Sequence, residues 1–225
     1  MDNVITIAID GPAGAGKSTI ARLIAGRLGI LYLDTGAMYR AVGLKALRTG
    51  TDMRSEPAMA ALLEQTNLDI RFVRQSQQIF LDGEDVTGDI RLPEVSRAAS
   101  DVSALPVVRL KLVELQRQIA SGQNLILDGR DIGTYVLPHA SYKFFLTADL
   151  RERAKRRLLD LQARGSQDAT LDQVADDMSY RDNQDSSRAL APLKQAEDAI
   201  LVDTTGLTIE EVVEKVMGYL GRTAS

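Results

Sequence analysis

The sequence predicts an α/β fold built on a mostly parallel sheet, and three features carry that expectation. Short apolar runs recur along the chain, several of them ending at an acidic residue. Between them lie stretches with apolar residues at helical spacing. One of the strand-to-helix junctions is rich in glycine. Parallel neighbours need a long crossover, and a helix supplies it, so strands that alternate with helices suit a parallel sheet.

Taken in order, Val4 to Ile9 (VITIAI) is β-branched, continuously apolar and closed by Asp10-Gly11, the pattern of a strand buried on both faces. After the glycine-rich stretch, Ser18 to Leu28 repeats apolar residues at helical spacing. A second strand ends at Asp34, and further strands are expected at Leu125–Leu127, Tyr142–Leu146 and Ile200–Val202. Helical patterns occupy about 36–48, 106–121, 150–163, 171–182 and 208–220. The rhythm breaks at 66–92, where Asp69–Val73, Gln78–Leu81 and Glu84–Val86 read as an antiparallel meander with the turn Asp82-Gly83 and helices on either side. Arg222 to Ser225 are expected to fray.

The 225 residues correspond to one or two domains. With 44% hydrophobic and 26% charged residues, the chain has the apolar content of a globular protein, and disorder of the whole is not expected. The 27 basic and 31 acidic side chains give a net charge of -4, without the positive excess of a protein that wraps nucleic acid. The absence of cysteine excludes disulfides, thiolate zinc sites and cysteine nucleophiles, and the single histidine, His139, excludes a multi-histidine metal site. MDNVITIAIDG lacks a basic n-region and its apolar run stops at Asp10, so no signal peptide is expected. No run approaches eighteen apolar residues, and the expectation is a cytoplasmic, monomeric protein with no membrane or nucleic-acid partner.

Gly11-Pro12-Ala13-Gly14-Ala15-Gly16-Lys17-Ser18 matches G-x-x-x-x-G-K-[ST], with Thr19 continuing into the helix. Glycines allow successive N–H groups to curl around phosphate oxygens, and a helix N-terminus favours an anion. Lys17 then reaches the β- and γ-phosphates of ATP, and Ser18 places its hydroxyl on Mg²⁺. The metal needs an acidic partner at another strand end. Asp128 is the candidate, the alternative being a residue that only closes the strand, and Asp10 is a weaker one.

Three further clusters bear on chemistry: Asp34 to Arg40, Asp128-Gly129-Arg130-Asp131, and the segment from Arg151, Arg153, Lys155, Arg156 and Arg157 to Arg181, Asp182, Asp185 and Arg188. The basic run reads better as a solvated helix face paired to Glu152 and Asp160. Arg40 and Arg130 follow strand ends, where α/β sheets bind ligands. No N-K-x-D guanine reader is present.

GPAGAGKST, DTGAMYR, GEDVTGDIR, DGRDIGTYVLP and RD-x-x-DS-x-RALAPL, spread over residues 11–193, resemble the bacterial cytidylate kinases, nucleoside-monophosphate (NMP) kinases of the P-loop class. The resemblance implies one P-loop domain: a five-stranded parallel core (1–35, 104–150, 190–225), an NMP-binding region (36–103) holding the insert, and a short lid (151–189). It implies that Gly11 through Thr19 hold ATP, with Mg²⁺ on Ser18 and Asp128. Arg40 and Arg130 would hold the acceptor phosphate, and Thr35, Ser100, Arg109, Asp131 and Arg188 would surround the cytosine. Arg181 and Asp185 would contact its sugar and phosphate, and Lys17, Arg130, Arg181 and Arg188 would act in catalysis. Some relatives carry arginines where this chain has Gln184 and Ser186. Cytosine offers acceptors at O2 and N3 and a donor at N4, so arginine and a carboxylate or hydroxyl suit it. The implied reaction is transfer from ATP to CMP or dCMP; a same-fold kinase for UMP or another small acceptor, and a non-catalytic ATP switch, are the alternatives. Ser100 has the alternative reading of a helix cap. His139 reads as a surface turn residue, and Tyr32, Tyr39 and the four phenylalanines read as core.

Overall fold

Ile7, Ala8 and Ile9 are fully buried within β1 (Thr6–Asp10), so both faces of this strand are covered, as its unbroken apolar run requires. The computed structural model describes residues 4–74, 76–163 and 168–222. From β1 the chain passes through α1 (Lys17–Leu28), β2 (Leu31–Asp34), α2 (Thr35–Thr49) and α3 (Glu56–Glu64). It then forms β3 (Leu68–Val73), β4 (Ser76–Leu81) and β5 (Glu84–Asp85), followed by α4 (Pro93–Ser103) and α5 (Pro106–Ala120). β6 (Leu125–Asp128), β7 (Tyr142–Thr147), α6 (Leu150–Ala163), α7 (Leu171–Ser187), β8 (Ile200–Asp203) and α8 (Ile209–Arg222) complete it.

The five strands of the main sheet lie in the order β2-β6-β1-β7-β8, all parallel. Alternate residues serve opposite faces. Ile7, Ile9, Ile126 and Phe144 pack with Ile20, Ile24, Val213 and Val216 of α1 and α8. Ala8, Leu33, Leu125 and Leu127 pack with Met38, Val42, Val108 and Leu112 of α2 and α5. Burying each such Ile, Leu or Val contributes about 1.5–3 kcal/mol. Because the chain winds outward from β1 in both directions, the crevice at the carboxyl end of β1 is the switch point where open α/β sheets bind ligands.

The expected meander is present as the antiparallel sheet β3-β4-β5. Asp82 and Gly83 join β4 to β5 with φ of 52° and 90°, the double left-handed turn that Asp-Gly favours. Ile79 and Leu81 pack on Ala37, Ala41 and Leu44, which docks the insert on α2. Gln77 of β4 accepts from Asp34 N–H at 2.6 Å and donates to Asp34 C=O at 3.2 Å, tying the insert to the end of β2. Helix α7 runs five residues past the expected 182, so Asp185 lies on it. Ser100 lies inside α4, three residues before its end, which removes the cap reading. Ile132–Val136 form one turn of π-helix that the sequence analysis does not anticipate.

Candidate active site

The phosphate loop follows β1 at the switch point. Gly11 has φ +143°, and a Cβ there would stand 1.9 Å from the Leu146 carbonyl oxygen, so neither the conformation nor the space admits a side chain. Lys17, 5% exposed, donates from Nζ to the Pro12 carbonyl at 2.7 Å. Burial and the nearby Arg130 guanidinium push its pKa down to about 7.

Ser18 Oγ donates to Asp128 Oδ2 at 2.9 Å, joining the two residues expected to meet at the metal. The other oxygen of Asp128 accepts the Tyr32 hydroxyl at 2.8 Å. Burial, then the facing Asp34 carboxylate, hold Asp128 above the ordinary carboxylate range. Asp128 and Asp34 are paired across β6 and β2, which explains their proximity. Thr35 Oγ1 donates to the Asp128 carbonyl at 2.7 Å, so its hydroxyl proton is spent on the strand end. Asp10 spends both oxygens on the Ile132 and Gly133 N–H groups, at 2.8 and 2.7 Å, and this corrects its candidacy as a metal partner. Burial raises its pKa to about 6.

Arg109, 1% exposed, donates from Nη2 to Asp131 Oδ2 at 2.5 Å and lies 5.6 Å from the centre of the Tyr39 ring. Its Nε is buried without a hydrogen-bond partner among the described residues. Such an orphaned donor beside a paired carboxylate is a polar surface waiting for a complementary edge. Ser100 lies one turn before Ser103, whose carbonyl accepts from Arg109 Nη1 at 3.4 Å.

Arg130 donates from Nε to Asp185 Oδ2 at 2.7 Å, and Arg188 reaches the other oxygen at 3.5 Å. Arg188 Nη2 is a second buried donor without a partner among the described residues. Arg40 is held below its ordinary pKa by burial, which the Asp34 carboxylate opposes and the charges of Arg91, Arg130 and Arg181 reinforce. Arg181, lowered by burial, lines a cavity of about 450 Å³ between α4 and the α6–α7 pair. These guanidiniums repel one another, so the position between them favours an anion.

Several predicted features are corrected or refined. The basic run of α6 is a solvated face in part, with Arg156 pairing to Glu152 at 3.4 Å, but Arg153 is buried and bonded to the phosphate loop. Gln184 and Ser186 are exposed, with Gln184 donating to the Tyr180 hydroxyl at 3.2 Å, so neither faces Asp185. His139 is exposed in a turn, as expected. Tyr32 is core, yet its hydroxyl serves Asp128, and Tyr39 borders Arg109; the residues flanking each in sequence carry no signal of this. Gln77 is missed because nothing local marks a strand residue that reaches Asp34 in another sheet.

The profile of the cytidylate kinase family matches residues 7–222. A cytidylate kinase from Caldicellulosiruptor bescii is 53% identical over 213 residues, covering 95% of this chain and 94% of the relative. One from Symbiobacterium thermophilum is 49% identical over 220 residues, covering 97% of each. The fold recurs at 11% identity and a TM-score of 0.52 in a crystal structure from Eubacterium ventriosum, covering 96% of this chain and 98% of that one. A phosphate loop, a facing arginine cluster and a match across nearly the whole sequence lead to one conclusion: the chain belongs to the cytidylate kinase family.

Proposed function

We propose that this enzyme transfers the γ-phosphoryl group of ATP to CMP or dCMP, giving ADP and CDP or dCDP. The observation that carries the reading is Arg130, held by Asp185 of α7 at 2.7 Å and standing two residues after Asp128, which meets the phosphate loop through Ser18 at 2.9 Å. The donor lysine and the acceptor arginine thus share one crevice. An acceptor phosphate oxygen attacks the γ-phosphorus as the bond to the β–γ bridging oxygen breaks, and no covalent enzyme intermediate is required. The loop amides and Lys17 hold the donor phosphates; Arg40, Arg130, Arg181 and Arg188 hold the acceptor and offset the charge that spreads over the transferring group.

Ser18 and Asp128 fit Mg²⁺. They are hard oxygen donors 2.9 Å apart, and the buried carboxylate, held above its usual pKa, gains from a cation. No cluster of three His, Cys, Asp or Glu residues able to hold a metal occurs among the described residues, which suits an ion completed by phosphate and water oxygens. When bound, Mg²⁺ neutralises charge on the β- and γ-oxygens.

Arg109 and Asp131 are the base readers in this proposal, with Arg109 facing the acceptors of cytosine and an oxygen of Asp131 or Ser100 facing its amino group. UMP would set an oxygen against an acceptor and leave both unpaired. The small size and net charge of -4 support a monomer, and on this reading it acts in the cytoplasm on free nucleotides. No helix among the described residues is long and apolar enough to cross a membrane. Initial rates with ATP and a panel of monophosphates test the reading: CMP and dCMP are used at least ~100-fold more efficiently than UMP. Ser100→Ala narrows that gap. Equal use of UMP overturns the base assignment, and no transfer to any monophosphate overturns the reaction.

A further inference from the structure

The Pro12–Ala13 peptide of the phosphate loop is held on both sides. Its carbonyl accepts from Lys17 Nζ at 2.7 Å, and its N–H donates to Asp182 Oδ1 at 3.2 Å. These two groups belong to one planar unit, so a rotation that breaks one contact disturbs the other. The next peptide is held as well, because Arg153 Nη1 donates to the Ala13 carbonyl at 2.9 Å. The same nitrogen donates to Asp182 Oδ2 at 2.6 Å, and Arg153 Nε donates to the Ala148 carbonyl, just past β7, at 2.9 Å. Both side chains are largely buried, where a charge-assisted hydrogen bond is strong, and the planar guanidinium fork spreads its bonds over Asp182, Ala13 and Ala148. Packing reinforces the arrangement. A Cβ on Gly14 would stand 2.6 Å from the Met178 methyl and 3.1 Å from the Arg153 carbonyl oxygen, so α6 and α7 lie directly on the loop.

We propose that Asp182 and Arg153 form a latch that positions Lys17 and the acceptor-facing side chains of α7 in one frame for phosphoryl transfer. Asp182 sits between Arg181 and Asp185 on α7, and Asp185 holds Arg130. A shift of α7 therefore moves the acceptor groups and the loop peptide that seats Lys17 together. The latch touches no reacting atom; both residues are positioning residues. The inference rests on the loop being the donor site.

Asp182→Asn keeps the volume and an acceptor oxygen for Ala13 N–H but removes the charge that holds Arg153. Misplacement by about 1 Å costs on the order of 100-fold in a transfer step, so kcat falls at least ~10-fold. The KM for CMP rises by a smaller factor than kcat falls, because Arg40 and Arg109 lie outside the latch while the α7 groups and Arg130 move with it. In the nucleotide-free protein, exchange of the Ala13 amide proton, followed by NMR, accelerates at least ~10-fold as its acceptor weakens. Arg153→Lys retains a charge for Asp182 but lacks the fork, and it moves both readouts in the same direction. It serves alone if Asp182→Asn does not fold. Wild-type kcat in a folded variant, a loss confined to Tm or to KM, or unchanged Ala13 exchange overturns the proposal. Absence of CMP phosphorylation by the wild type would overturn the reaction instead, and the exchange measurement, made without nucleotide, keeps the two failures apart.

Discussion

Arg109→Met probes the proposed base site and the fold together. Arg109 is 1% exposed and Asp131 is 5% exposed, so the substitution leaves a carboxylate buried without the guanidinium that faces it at 2.5 Å. Breaking a buried pair by removing one partner costs about 3–5 kcal/mol, because the remaining charge keeps its desolvation penalty. For a chain of this length each kcal/mol moves Tm by about 2–4 °C, so the melt falls by about 6–20 °C. The double variant Arg109→Met/Asp131→Asn removes the stranded charge and regains at least ~1 kcal/mol, despite carrying one substitution more. Thermal melts of the two variants and the wild type give the stability arm. kcat/KM for CMP and UMP, measured below the melts, give the other: the CMP preference drops at least ~10-fold in the single variant. A loss below about 1 kcal/mol, or a double variant no more stable than the single, refutes the buried-pair argument. An unchanged CMP to UMP ratio removes Arg109 from base recognition.

Lys17→Ala largely abolishes transfer while leaving the melt near that of the wild type, since the lysine acts on charge developing at the γ-phosphate; near-normal turnover in the folded variant rules the loop out as the donor site. Arg130→Met lowers kcat/KM for CMP by about 2–4 kcal/mol of transition-state stabilisation and alters ATP binding far less, checked by kinetics and by calorimetric ATP titration. Asp10 makes a pH prediction. Its folded pKa of about 6 exceeds its usual 3.8, so through that window the native state still holds a proton that the unfolded chain has released. Stability from this group is therefore present below the window, falls as pH rises through it, and is lower by on the order of 3 kcal/mol near neutrality. Denaturant titrations of the wild type and Asp10→Asn across the window should differ by a slope of that sign, and parallel curves refute it.

Local signals made most of the frame readable. β1, the glycine loop and α1 announce themselves by an apolar run, a spacing and a period, and α6 occupies the 150–163 that its periodicity predicts. Asp82-Gly83 carries its turn in its own backbone preferences. What escaped depends on groups far apart in sequence. The π turn at Ile132–Val136 is capped by Asp10, more than a hundred residues away, whose carboxylate takes the first two N–H groups. Arg153 sits beside Arg151 and Lys155, which face solvent, and the loop 140 residues earlier is what distinguishes it from them. The arginines expected at the acceptor phosphate do converge, because strand ends at a switch point are close in any such sheet. Among the described residues the Thr35 hydroxyl bonds the backbone of Asp128, and Ser100 lies one turn before Ser103, whose carbonyl accepts from Arg109.

Asp10, Asp34 and Asp128 crowd the carboxyl ends of three adjoining strands, all three nearly excluded from solvent. An engineer seeking a sturdier scaffold would begin with Asp10 and Asp128, whose burial holds them above the usual carboxylate range, and would spare Asp34, which the Arg40 and Arg91 guanidiniums hold below it against the cost of burial. Each gain in melting temperature would come from the edge that receives the nucleotides. Laboratory selection for heat resistance alone, with no demand for turnover, should therefore drift toward substitutions at Asp10 and Asp128, whereas selection under growth should leave them untouched and find its improvements on α8 and the outer helices.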